Sequence, residues 1–198
     1  MIRTYHTLKS YPLRSGVTYH RPHDSMRQRV TLESPAVEVM TDLMRVSAET
    51  ITPDASLEDA NNWMIKRGVR LLLATDEAKR IVGLITASDI LGEKPMQHIS
   101  ARGGRRGELL VADIMTLQNR LEVLRLDEVD HARVGHIVST LKQAGRQHAL
   151  VAETSSAGDN QVVCGIFSVS QIARQLGVLI ETPEIARTFA EIESLLVR

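Results

Sequence analysis

An α/β fold of the α+β kind, two β-α-β-β-α repeats packed as a pseudo-twofold module, is what this sequence predicts. Three observations carry that expectation. Residues 83–89 read Gly-Leu-Ile-Thr-Ala-Ser-Asp, and residues 165–171 read Gly-Ile-Phe-Ser-Val-Ser-Gln. Both are a glycine, two large apolar residues, a hydroxyl, a small spacer, a second hydroxyl and a polar residue. Upstream of each stands an Asp-apolar-Met triplet, Asp42-Leu43-Met44 and Asp113-Ile114-Met115. Between triplet and heptapeptide lies a further glycine. Met44 to Gly68 is 24 positions and Met115 to Gly145 is 30, while Gly68 to Gly83 is 15 and Gly145 to Gly165 is 20. The second copy therefore reads as the same unit with polar insertions around 127–133 and 155–161, as tolerated loop extensions usually are.

The elements of the first copy follow from local chemistry. Thr50-Ile51-Thr52 is a short β-prone run stopped by Pro53. Ser56 offers a helix cap and Asp59 sits in the first turn, where a negative charge suits the helix dipole. Leu57, Ala60 and Met64 recur at helical spacing until Gly68 supplies a left-handed stop. Arg70 to Thr75 and Arg80 to Ile85 read as strands joined in a hairpin across the polar turn 76–79. Thr86 or Ser88 opens a short helix ending near Gly92, with Pro95 beyond it. In the second copy the strands are expected at 124–126, 148–153 and 162–167. Its helices are expected at 130–144, with Val134, Ile137, Val138 and Leu141 on one face, and at 169–176. A copy of roughly 55 to 65 residues has too little core to stand alone, so each should bury its sheet against the other.

The flanks complete a five-part organisation: a basic arm over 1–35, the repeats over 36–95 and 111–178, a basic linker over 96–110, and a C-terminal helix over 179–198. The arm carries six Lys or Arg residues against Asp24 and Glu33, and all three tyrosines. It reads equally as unstructured or as a docking strip. Thr182-Pro183-Glu184 starts a helix, and Ile185, Phe189, Ile192 and Leu196 give it an apolar face for its own module or a second subunit. In the chain as a whole 24 basic residues balance 24 acidic ones, so net charge gives no case for nucleic acid or an anionic membrane. One cysteine, Cys164, excludes an intramolecular disulfide and a cysteine-rich zinc site, and its apolar neighbours predict burial. No apolar run approaches the roughly 20 residues of a membrane span, and the polar start lacks a secretory signal core. A cytoplasmic protein is the expectation.

The residues Asp42 to Met44, Ile51 to Ala60, Gly68-Val69-Arg70, Asp76 and Gly83 to Asp89 closely resemble a CBS motif, the small domain named after cystathionine β-synthase. Asp113 to Met115, Gly145 to Glu153 and Gly165 to Gln171 look like its partner. Residues 36–178 thus resemble a tandem CBS pair, or Bateman module. The resemblance implies a regulatory fold that binds AMP, ADP, ATP or sometimes S-adenosylmethionine between its copies and commonly pairs into homodimers. It also implies that the first hydroxyl of the Gly-apolar-apolar-Thr/Ser-x-x-Asp run contacts phosphate and that its carboxylate holds the ribose hydroxyls. Thr86 and Asp89 match. Ser168 matches in the second copy, where Gln171 replaces the carboxylate. By the same resemblance adenine would be met by Thr50, Ile51, Arg70 and Leu71, with Arg125, Gln147 and His148 in comparable places in the second copy.

The chemistry of the run suits a nucleotide independently. Thr86 and Ser88 lie where strand becomes helix, so their amides can face an anion. Asp89, one turn on, can accept from both hydroxyls of a ribose diol. Gln171 has a single acceptor oxygen and cannot copy this. Hydrogen bonds to a charged group are worth roughly 1.5 to 3 kcal/mol, or about 10- to 100-fold in affinity. Two unequal sites are expected: a dominant one with Thr50, Ile51, Arg70, Leu71, Thr86, Ser88 and Asp89, and a weaker one with Arg125, Gln147, His148, Ser168, Ser170 and Gln171. Thr86, Ser88 and Asp89 are equally well placed simply to cap a helix, and Ile51 and Leu71 to fill a core.

Other signals stay weak. His20 and His23 flank Pro22, and His131 and His136 are five apart, so neither pair shares a helix face, and no metal site is expected. Arg102-Gly103-Gly104-Arg105-Arg106-Gly107 lacks the spacing of a P-loop and reads as a solvated bridge, with phosphate clamping above the cleft or RNA contact as alternatives. No catalytic residue, catalytic cofactor or enzymatic turnover is expected. The leading reading is a stand-alone adenine-nucleotide sensor that forms a homodimer and signals through changed packing or a protein partner. Its rivals are a structural interaction module with a vestigial cleft, and nucleic-acid binding through arm and linker, which the balanced charge disfavours.

Overall fold

The computed structural model describes residues 30–154 and 161–178. Most of the arm, the second expected insertion and the C-terminal helix lie outside the described residues. Strands β1 (Thr41–Asp42), β2 (Thr50–Ile51), β3 (Leu71–Thr75), β4 (Ile81–Thr86), β5 (Thr116–Leu117), β6 (Val123–Arg125), β7 (His148–Thr154) and β8 (Gln161–Ser168) form two four-stranded sheets. Their orders are β2-β3-β4-β5 and β6-β7-β8-β1. In each, the first pair is parallel and the other two are antiparallel. The same order twice is the expected pseudo-twofold repeat.

Helix α1 (Leu57–Arg67) begins and ends as its sequence dictates. The Ser56 hydroxyl accepts from the Asp59 amide, and Gly68 closes the helix at φ 66°. Its apolar face, Leu57, Ala60 and Met64, packs on Leu72, Ala74 and Ile85 in the first core. Helix α2 (Ala87–Leu91) follows β4 directly. Beyond it, α3 (Lys94–Arg102) takes up much of the expected linker, with Pro95 in its first turn rather than standing as a stop. Helix α4 (Val111–Ile114) leads into the second unit, where α5 (Leu126–Val129), α6 (Val134–Gln143) and α7 (Val169–Gln175) follow. The insertion expected to be a polar loop is thus partly α5, and its Val129, 2% exposed, belongs to the second core. Cys164 is buried in that core and free, as its apolar run predicts.

The leading segments are exchanged, which corrects the sequence reading. β1 precedes the first repeat in the chain but pairs with β8, Thr41 opposite Ile166. β5 precedes the second repeat but pairs with β4, Leu117 opposite Gly83. The equivalent of Asp113-Ile114-Met115 is therefore Glu38-Val39-Met40, not Asp42-Leu43-Met44. Val39 and Ile114 are both buried, whereas Met44 is 87% exposed. In this register the methionine stands 28 positions from Gly68 in one copy and 30 from Gly145 in the other, so the first insertion is smaller than the earlier alignment implied.

Alternation along β3 sets up the surface between the two units. Leu72 and Ala74 face the first core, while Leu71 and Leu73 face the other way. With Leu84 of β4 and Leu150 of β7 they make a third apolar cluster, also touched by Val123, Val163 and Ile166. The sheets meet face to face through this cluster, and clefts open at its margins.

Candidate functional site

Two clefts carry the two heptapeptides. The first, about 260 Å³, has Leu84 and Leu150 in its lining, Thr86, Ser88 and Asp89 on one wall, and Gly145 to His148 on the other. Arg120, Glu122 and Arg146 complete it, with Arg146 held to Glu122 at 2.7 Å. Thr86 ends β4 in extended backbone and caps α2: its hydroxyl accepts from the Asp89 amide at 3.2 Å. Asp89 Oδ2 answers by accepting from the Thr86 amide at 2.8 Å and the Thr86 hydroxyl at 2.7 Å. Its other oxygen, Oδ1, lies 2.6 Å from Lys94 Nζ. The helix-capping reading of this pair is therefore realised in full, and the Thr86 amide, expected to face an anion, is already bonded. Oδ1 retains a lone pair for one more donor. Ser88 Oγ donates to Gln147 Oε1 over a long 3.4 Å, a contact readily given up to a ligand.

The second cleft is about 170 Å³ and combines Ser168, Ser170, Gln171 and Arg174 with Arg70 and Leu71 of the first unit. The exchanged segment enters its wall, and Thr41 Oγ1 donates to Gln171 Oε1 at 3.0 Å. The Ser168 and Ser170 hydroxyls share a bond at 2.9 Å, and Ser168 makes no side-chain cap on α7. Glu49 on the same wall is bonded to Arg67, 2.6 Å away, which holds its carboxyl below the usual range. His148 lines both clefts. Burial, then the charge of Arg70, push its pKa down to about 4 against the opposing pull of Asp89, so it is a neutral imidazole at pH 7.

The structure keeps Thr86, Ser88 and Asp89 together in one cleft and Ser168, Ser170, Gln171 and His148 in the other, but divides the remaining expected residues differently. Arg70 and Leu71, assigned with Thr86 and Asp89, line the cleft of Ser168 and Gln171. Gln147, assigned with Ser168, lines the cleft of Thr86 and Asp89, and His148, assigned with Ser168, lines both clefts. The cause is the face-to-face packing: Leu71 sits on the face of β3 that looks across at the other unit. Thr50 lines a separate cavity with Lys79 and Arg80. Ile51 packs against the first core, and Arg125 is paired with Asp127. These three stand apart from both clefts. Arg120 and Arg146 were missed, and the signal for Arg146 was its place directly after Gly145, matching Val69 after Gly68.

Among the described residues no group of three or more His, Cys, Asp or Glu side chains could hold a metal ion. His131 Nδ1 is bonded to the Asp127 carbonyl, and His136 Nδ1 accepts from the Arg133 amide. His20 and His23 lie outside the described residues. No described helix is long and apolar enough to cross a membrane.

Residues 39–95 match the CBS domain family. The fold is similar to that of an uncharacterized conserved protein from Pyrococcus horikoshii, with TM-score 0.54 and 21% identity over 78% of this chain and 100% of that one. A CBS-domain containing protein from Agrobacterium tumefaciens is 16% identical over 67% of this chain and 88% of its own, with TM-score 0.49. CBSX2 of Arabidopsis thaliana, solved in complex with AMP, is 20% identical over 71% and 94%, with TM-score 0.47.

Proposed function

We propose that this chain, a CBS-domain protein with two such repeats in tandem, is a regulatory module that binds an adenosine-containing ligand in the Asp89 cleft. One observation carries the reading. The cleft between the repeats places a carboxylate, two hydroxyls and a carboxamide around an apolar lining, the few convergent polar groups a nucleoside needs. Leu84, Leu150 and the neutral His148 suit a purine, and Asp89 Oδ1 suits a ribose hydroxyl. The Gln171 cleft is smaller, and its neutral carboxamide offers one acceptor oxygen, already shared with Thr41, where Asp89 offers a charged carboxylate, so it is the weaker site. A bound ligand signals by favouring one packing of the repeats, or of two subunits, for which its affinity is greater.

Isothermal titration with AMP, ADP, ATP and S-adenosylmethionine tests this. Saturable binding of at least one is expected, with Asp89→Ala weakening it roughly tenfold or more. Absence of heat and of a thermal shift with all four at millimolar concentration removes the reading, and undiminished affinity in the variant removes the site. A second reading has its own support. The carboxylate of Asp89 and the carboxamide oxygen of Gln171 are already bonded, as in a vestigial cleft, and Ile65 and Leu91 are well exposed. A structural interaction module would form a stable dimer or complex unaffected by any of the four ligands.

A further inference from the structure

A basic groove of about 570 Å³ between α3 and α4 adjoins the Asp89 cleft. Thr116 and Arg120 belong to the walls of both. From Arg120 the groove passes Lys94, His98 and Arg102. Its acid is Asp113, whose Oδ2 accepts from the Leu110 amide at 2.9 Å and whose Oδ1 is 3.8 Å from His98 Nε2. Neither Arg102 nor Arg120 forms an ion pair among the described residues. Lys94 connects the two cavities: it lines the groove, yet its ammonium sits 2.6 Å from Asp89 Oδ1 in the cleft wall.

We propose that cleft and groove are one site for a nucleoside polyphosphate, with the nucleoside in the cleft and the phosphate tail along Lys94, Arg102 and Arg120. The inference rests on the adenosine reading above and specifies its ligand. Size is the first argument: the cleft alone falls short of the roughly 300 Å³ at which small-molecule sites begin, and the groove supplies the missing room. Charge is the second, because two unpaired guanidiniums beside a third cation suit an anion that can be bound bidentately. Exchange is the third. A ribose diol needs two acceptor sites on Asp89 and Oδ1 has one lone pair free, so accepting both hydroxyls displaces Lys94 and strands its ammonium. A ligand with a phosphate tail gives Lys94 a new anion as it leaves, so one charge-assisted bond replaces another. Lys94 thereby selects for the tail.

The test measures adenosine, AMP and ATP binding to the full chain, in EDTA at fixed salt, for wild type, R102Q, R102Q/R120Q and K94Q. Both arginines are exposed, and equal melting temperatures would confirm that the variants fold. In wild type, ATP should bind at least about tenfold more tightly than adenosine. R102Q alone should weaken ATP while leaving adenosine within about twofold, and R102Q/R120Q should weaken ATP further and by a larger factor than adenosine, whose cleft Arg120 also lines. K94Q should strengthen adenosine and weaken ATP. Equal wild-type affinities for adenosine and ATP, or an equal loss of both in R102Q/R120Q, would overturn the polyphosphate site and leave the adenosine reading standing. Failure of all three ligands to bind overturns the polyphosphate site, and failure of ADP and S-adenosylmethionine as well overturns both.

Discussion

His148 is the residue the two clefts share, and its environment makes a sign-definite prediction about pH. Its folded pKa is lowered to about 4 from an ordinary 6.5, so the unfolded chain takes up a proton that the folded chain refuses. Its contribution to stability is therefore whole above about pH 6.5 and is lost as pH falls toward about 4. Urea midpoints measured from about pH 7 to about pH 4.5 should fall more steeply for wild type than for His148→Gln. Parallel slopes would mean that His148 is not the group refusing the proton. Legibility at this scale was partial for a physical reason. Thr86 and Asp89 stood out because a capping box and a nucleotide contact need the same residue types at the same spacing. That same identity kept the sequence from telling the two roles apart. His148 was placed with one heptapeptide although it lines the clefts of both, since its surroundings depend on how two sheets meet.

Among the elements, the glycines that open the heptapeptides have a structural explanation the sequence did not give. A Cβ on Gly83 would lie 2.6 Å from Met115 Sδ and 2.9 Å from the Thr116 carbonyl oxygen. The three atoms nearest a Cβ on Gly165 all belong to the Met40 side chain, with Cγ at 2.9 Å. Each glycine thus makes room for the methionine that leads the exchanged strand beside it. Overpacking of this kind costs roughly 1 to 3 kcal/mol. Gly165→Ala should be largely relieved by Met40→Ala, because its nearest obstacles are all side-chain atoms. Gly83→Ala should be relieved poorly by Met115→Ala, because the Thr116 carbonyl remains. Double-mutant cycles from urea denaturation check this, and a coupling for Gly83 and Met115 equal to that for Gly165 and Met40 would contradict it. α1 was legible from Ser56, its apolar face and Gly68. β1 and β5 were not, since two residues carry no period. α3 was hidden by Pro95, which marks a helix start as readily as an end.

At the scale of the whole molecule, each unit is completed by the segment that precedes the other in the chain. Residues 109–117 serve the first: Leu109, Val111 and Ile114 enter its core, the Leu57 amide donates to the Leu109 carbonyl, and β5 closes its sheet. Residues 32–42 serve the second: the amides of Val134 and Gly135 at the start of α6 donate to the Ser34 and Leu32 carbonyls, and β1 closes its sheet. These contacts satisfy helix-end amides that would otherwise lack partners. The number and order of repeats were readable from matching glycines, but an exchange of this kind is long-range pairing that leaves no local mark. It does fix where the chain can be cut. A fragment of residues 30–107 contains the first repeat as the sequence delimits it, yet lacks its edge strand and three core side chains. A fragment of residues 45–120 has both, at similar length. The second fragment should show a cooperative thermal melt by circular dichroism, and the first should not. It should also self-associate, because Leu71, Leu73 and Leu84 lose their cover from the other sheet. Equal folding of the two fragments would show that the exchanged segments are dispensable, and that the glycine-lined edges hold less of the structure than their geometry implies.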